Sequence, residues 1–120
     1  MNFSELSDFE INKTVAESLG MNARKKSSCV NHGEGESAVS VGFGGCMRAF
    51  DPCNNPSDAW SIIVDNEISI EKNSRNTEYW RAITWEQING SEFRPIEQCA
   101  DKNPLRAAMI VYLMMQEEAA

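Results

Sequence analysis

Apolar residues fall at helical spacing in three stretches of the chain and alternate with polar ones in others. Ile11, Val15 and Leu19 recur every four residues and give one apolar stripe. Ser7 and Glu10 stand ahead of it at the spacing of a capping box, and Leu6 and Ile11 at that of a hydrophobic staple. Gly20 follows, suited to the left-handed conformation that closes a helix. This predicts a helix over residues 8–19. Residues 22–37 are polar and without period, which predicts a long loop with a short extended piece near Ser28–Val30. From Ala38 to Phe43, Val39, Val41 and Phe43 alternate with small residues, the pattern of a strand with one buried face. Gly44-Gly45 breaks that strand, and residues 46–50 continue the extended path to Asp51.

Two helix starts share one chemistry. Asn55-Pro56 and Asn103-Pro104 each offer an Asn side chain to a first-turn N–H and a proline at the first helical position. The first predicts a helix from about Pro56 to Asn66, with Trp60, Ile63, Val64 and Glu67 toward one face. The second predicts one from about Pro104 to Glu118. Its apolar residues, Leu105 through Met115, surround it almost completely, so it is either buried on several sides or offers a patch to a partner. Between the two, residues 68–72 and 78–84 read as strands of a hairpin turning at Asn73–Asn76. Asn89-Gly90 predicts a further two-residue turn, and Pro95 restricts any following strand to a sheet edge. The sum is an α+β fold: one domain over residues 1–120, a small antiparallel sheet of about three strands packed with three helices.

Charge narrows the function. The 120 residues carry a net charge of −7, so direct nucleic-acid binding by phosphate neutralisation is not expected. The one dense basic run is Arg24-Lys25-Lys26. Nucleic-acid mimicry would need the acidic residues gathered on one face, and along the chain they are scattered. The longest apolar run, Ala107 to Met115, is far short of the ~20 residues that span a bilayer, so no membrane association is expected. The N-terminus has no basic start followed by an apolar run, which predicts a cytoplasmic protein with reduced thiols at its four cysteines.

Candidate chemistry is sparse. Cys29-x-x-His32 has the spacing of a metal-ligand pair, with Cys46 and Cys53 as further donors. A second close pair is missing, so no metal is expected. No cofactor motif occurs: Gly42, Gly44 and Gly45 lack the Lys-Ser/Thr ending of a phosphate loop. A cysteine nucleophile would have to use His32, the sole histidine, and no third orienting group is identifiable. Asp51, Asn54, Asn55 and Asp58 cluster before the second helix. They fit a polar binding pocket at a helix N-terminus, but also fit turn and cap formation, the favoured reading. Arg106 is placed to bind a carboxylate such as Asp51 or Asp58. Trp60 and Trp80 are expected in the core, whereas Trp85, beside a polar stretch, is the better candidate for a contact surface.

Four blocks in this order are distinctive: SELSDFEINK from Ser4, FDPCNNPSDAWSIIV from Phe50, Trp80-Arg81-Ala82, and NPLRAAMIVYLMMQEE from Asn103. Together they resemble the phage NinX-like family, small proteins of lambdoid phages and prophages, related to the phage ABA-sandwich domain. The resemblance spans the chain and implies an alpha-beta-alpha sandwich, a small antiparallel sheet between helices. It supplies no catalytic residues. The expectation is a phage accessory protein that binds an unidentified phage or host protein, with homodimerisation through Ile110–Met115 as a separate expectation. The alternative is a small-molecule binder or small enzyme using a polar pocket near residues 51–60.

Overall fold

The computed structural model describes residues 2–25, 37–43 and 46–119. A 3-10 turn, Phe3–Glu5, leads into helix α1, Asp8–Ser18. Strands β1, Asn22–Lys25, β2, Val39–Phe43, and β3, Cys46–Phe50, follow. Helix α2 is Pro56–Asp65, strands β4 to β6 are Ser69–Lys72, Trp80–Asn89 and Glu92–Asp101, and helix α3 is Pro104–Ala119.

The α+β class is as expected, but the described residues form two antiparallel sheets of three strands each, in the orders β1-β2-β3 and β4-β5-β6. Part of the difference lies in the expected polar loop. Its first four residues, Asn22 to Lys25, pair with β2, Asn22 opposite Gly42 and Lys25 opposite Val39. Their polarity hid the strand, because an edge strand does not need an apolar face. Residues 46–50 turn back as the third strand of that sheet, Val39 opposite Phe50.

The expected local signals act in α1. The Ser7 hydroxyl accepts from the Glu10 N–H at 3.1 Å, and Glu10 accepts from the Ser7 N–H at 3.3 Å. Ile11 and Val15 are buried beneath. The helix closes on Gly20 at φ +79, with Gly20 N–H to Glu17 O at 3.1 Å and Met21 N–H to Ala16 O at 2.9 Å. Those two bonds make a Schellman motif.

Helix α3 is the centre of the molecule. Ala107 through Leu113 are all buried, and the helix packs against α1, α2, the 3-10 turn and all three strands of the second sheet. The burial that its apolar surface requires is met within the chain. Ile110 to Leu113 are therefore not a surface of the folded chain, and Met114 and Met115 are half-buried against the same core. Of the expected dimer face, Ile110–Met115, only Met114 and Met115 reach the surface.

Two tryptophans depart from expectation. Helix α2 turns Ala59, Ile62 and Ile63 inward, which leaves Trp60 at 65% exposure and Val64 at 52%. One residue is 100° of helix, so Trp60 next to Ala59 faces away from the core. Trp80 is half-buried, with the Lys72 ammonium 4.6 Å from its ring. The second hairpin also turns one residue later than expected. Asn89 pairs with Glu92, so Gly90, at φ +32, and Ser91 form the connection. Strand β6, with Pro95, is an edge strand as expected. Register shifts between Ile83 and Trp85 and between Gln87 and Asn89 bend this hairpin. Beyond Thr84 its strands leave the core, and nearly every residue from Trp85 to Ile96 is exposed.

Candidate functional site

The turn before α2 and the start of α3 meet in one polar junction. Asn55 caps α2 by accepting from the Ser57 N–H at 3.0 Å. Asn103 caps α3 by accepting from the Leu105 N–H at 2.9 Å and the Arg106 N–H at 3.3 Å. The amide of Asn103 meanwhile donates to Cys53 O at 2.7 Å and Asn54 Oδ1 at 3.1 Å. One helix start thus clasps the turn that leads into the other.

Asp51 is the acceptor at the middle of this turn. Its carboxylate receives Asn12 Nδ2 at 2.6 Å, Ser37 Oγ at 2.7 Å and Asn54 Nδ2 at 3.2 Å. Asn12, fully buried on α1, also accepts from the Cys53 N–H at 3.0 Å, fixing the turn to the first helix. Asp58 accepts from the Asp51 N–H at 2.9 Å and from Arg48 Nη1 at 3.1 Å. A buried polar group without a partner is costly, and these groups hold one another.

Arg106 does not reach Asp51 or Asp58, the partners expected from the sequence. The start of α3 points it at the N-terminal segment instead. It donates to Asp8 at 2.5 Å, Asp101 at 3.1 Å, Ser4 O at 3.0 Å and Leu6 O at 2.8 Å. Burial works against its charge, but the hydrogen bond and charge of Asp8, followed by Asp101, raise its pKa above the ordinary arginine value. The planar fork suits this task, since one guanidinium satisfies several acceptors in fixed directions.

Both described thiols are shifted upward in pKa, chiefly by burial. Burial, reinforced by the charges of Asp8, Asp51 and Asp101 and opposed by Arg106, pushes the Cys53 thiol far up. Burial and Asp101 push Cys99 up to about 11. Neither has the lowered pKa of a reactive cysteine. Cys29 and His32 lie outside the described residues.

The exposed apolar residues gather elsewhere. A cleft of about 820 Å³ runs between α2 and the β5–β6 hairpin. Trp60 and Val64 stand on one wall, Trp85 and Phe93 on the other, and Ile63 and Ile68 form the inner surface. A second cleft of about 490 Å³ adjoins it, sharing Glu67 and Trp85 and adding Ile96 and Met115. Of the candidate binding residues named from the sequence, only Trp85 lies here, at 43% exposure. Asp51, Asn54, Asn55, Asp58 and Arg106 belong to the junction.

Sequence reasoning passed over Asn12, Asn103, Trp60 and Phe93 as parts of either region. Asn12 did carry a signal: it adjoins Ile11 in the stripe, where a buried polar residue needs a partner. Phe93 carried another. Residues 85–96 hold Trp85, Ile88, Phe93 and Ile96 at both odd and even positions, more apolar surface than one buried strand face uses.

A family model described as bacteriophage P22, NinX, matches residues 2–116 of the chain. No curated protein matches it.

Proposed function

The chain belongs to the bacteriophage P22 NinX family, and we propose that it serves the phage as a protein-interaction module, docking a phage or host protein in the cleft between α2 and the β5–β6 hairpin. One observation carries this reading. Trp60, Val64, Trp85, Phe93 and Ile96 are each more than 40% exposed, and they share two adjoining clefts. Single exposed apolar residues are ordinary, but a contiguous group of large ones marks a contact surface. Aromatic anchors of this kind supply most of the energy in protein interfaces.

The alternative, a ligand site near residues 51–60, has less support. The polar groups there are committed to one another and to helix capping, which leaves them poorly placed to receive a ligand. The setting we infer is the host cytoplasm. Cys53 and Cys99 are free thiols, the form that a reducing compartment maintains.

The test is co-purification from phage-infected cells with the wild-type chain and the Trp60→Ala/Phe93→Ala double variant. A specific partner held by the wild type and lost from the folded variant is the expected result. A partner held equally by both would remove the cleft from the interaction, and the absence of any specific partner would remove the interaction itself.

A further inference from the structure

Helices α1 and α2 end in the same way, with one difference. In α2 the Glu67 N–H bonds Val64 O at 3.2 Å and the Ile68 N–H bonds Ile63 O at 3.0 Å. These are the same two Schellman bonds that close α1 around Gly20. The left-handed residue in α2, however, is Glu67, at φ +52, the sole non-glycine residue at positive φ among the described residues. A side chain there costs about 1 kcal/mol or more relative to glycine. No described residue makes a side-chain hydrogen bond or ion pair with Glu67 that would offset this cost. Its side chain lines both apolar clefts.

The charges around Glu67 share its sign. Glu97 and Glu118 line the adjoining cleft, and among the described residues no lysine or arginine lines either one. The described ion pairs of the molecule involve other carboxylates, those of Asp8, Glu71, Asp58, Glu86 and Asp101. An apolar trough edged by three unpaired carboxylates is complementary to one kind of surface: apolar side chains flanked by cations. A second copy of this chain is a poor occupant, because it carries a net charge of −7 and would bring the same carboxylates to the contact.

Resting on the interaction reading above, we propose that the cleft takes a basic amphipathic segment of a partner protein, with its apolar stripe between Trp60 and Phe93 and its Lys or Arg residues on Glu67, Glu97 and Glu118. Glu67 is the specificity residue: its carboxylate, held at a backbone position that favours glycine, meets a partner cation.

The experiment measures fluorescence anisotropy with three labelled synthetic amphipathic helices. They share one leucine stripe and differ only in flanks of Lys, Gln or Glu. The Lys-flanked peptide is expected to bind roughly tenfold more tightly than the Gln-flanked one, with a preference that shrinks as salt rises. Combined Glu67→Gln, Glu97→Gln and Glu118→Gln substitution removes that preference. Glu17→Gln with Glu78→Gln, outside the cleft, leaves it in place and so separates rim charge from net charge. Glu67→Gly alone weakens the Lys-flanked peptide about threefold without lowering the unfolding midpoint.

Equal binding of the three peptides, no binding of the Lys-flanked one, or a preference insensitive to the rim variants would each overturn the assignment. Self-association abolished by Trp60→Ala/Phe93→Ala in light scattering would also overturn it, in favour of a second copy. If the assignment fails while that variant still loses its partner in infected cells, the interaction reading stands and only the partner's chemistry is wrong. If the Lys-flanked peptide binds the Trp60→Ala/Phe93→Ala variant unchanged, the cleft itself is not the site.

Discussion

The polar junction around Asp51 and Arg106 and the apolar cleft around Trp60 and Phe93 are opposite uses of conspicuous residues. The junction gathers charged and amide side chains, the groups that do chemistry in enzymes, and ties them to one another. Asp51 alone accepts from Asn12, Ser37 and Asn54. The cleft gathers tryptophan and phenylalanine, the groups that ordinarily fill cores, and leaves them in solvent. A concentration of polar residues therefore does not identify a site. An unmet physical requirement does. The junction has met its hydrogen-bonding requirement internally, while the cleft still has apolar area to bury.

If the junction is structural, its loss should appear as stability. Arg106→Ala is expected to cost about 3 kcal/mol, because Asp8, Asp101 and two carbonyls lose a shared donor. Arg106→Lys recovers only part, since an ammonium cannot reproduce the fork. Urea unfolding measures both. A cost below about 1 kcal/mol for the alanine variant would break the comparison and return Arg106 to the candidate binding residues. The two caps then sharpen it. Asn103→Ala is expected to cost about 2 kcal/mol, and Asn55→Ala about 1 kcal/mol, by the same measurement. Both remove a cap, but only Asn103 also holds Cys53 O and Asn54, so the difference reports the clasp. Equal costs would mean that the clasp adds nothing.

The two regions were not equally legible in the sequence. Capping and turn chemistry is local, so the Ser7–Glu10 box and both Asn-Pro starts could be read within a few residues. The identity of the partner across the junction is not local. The sequence offers Arg106 the carboxylates of the recognisable turn, Asp51 and Asp58. Arg106 binds Asp8, ninety-eight positions away, and Asp101. Trp60 departs from expectation for a different reason. An α2 face of Ala59, Ile62 and Ile63 and one of Trp60, Ile63 and Val64 both satisfy helical spacing. Size favoured the second as the core. Packing chose the first: Ala59, Ile62 and Ile63 are buried in the core that α2 shares with α3, and Trp60 and Val64 are not. The hairpin turn slipped by one residue because the register shift between Gln87 and Asn89 is a property of the paired strands.

The cleft makes the opposite prediction about stability. Glu67→Gly is expected to raise it by about 1 kcal/mol, since glycine occupies φ +52 without steric cost. Gly20→Ala, at the matching position of α1, is expected to lower it by about 1 kcal/mol. Nothing lies within 4 Å of the added Cβ at Gly20, so conformation alone sets that cost. Chemical denaturation of the pair tests whether Glu67 is a concession made at the edge of the cleft. A loss of stability on Glu67→Gly would mean that its side chain supports the fold.

The smallest expected change in stability is the most discriminating. Trp60→Ala and Phe93→Ala remove large aromatic side chains that are 65% and 57% exposed in the folded chain. The unfolded chain exposes them as well, so each substitution is expected to move stability by about 0.5 kcal/mol or less, against the 3 kcal/mol or more typical of a buried aromatic. Calorimetry on the two variants measures this directly. A near-zero effect means that the fold has no use for these rings, and their exposure then needs a partner to explain it. A large loss would show that they already do their packing within the chain. The cleft would then be a structural seam, and the contrast with the junction would disappear.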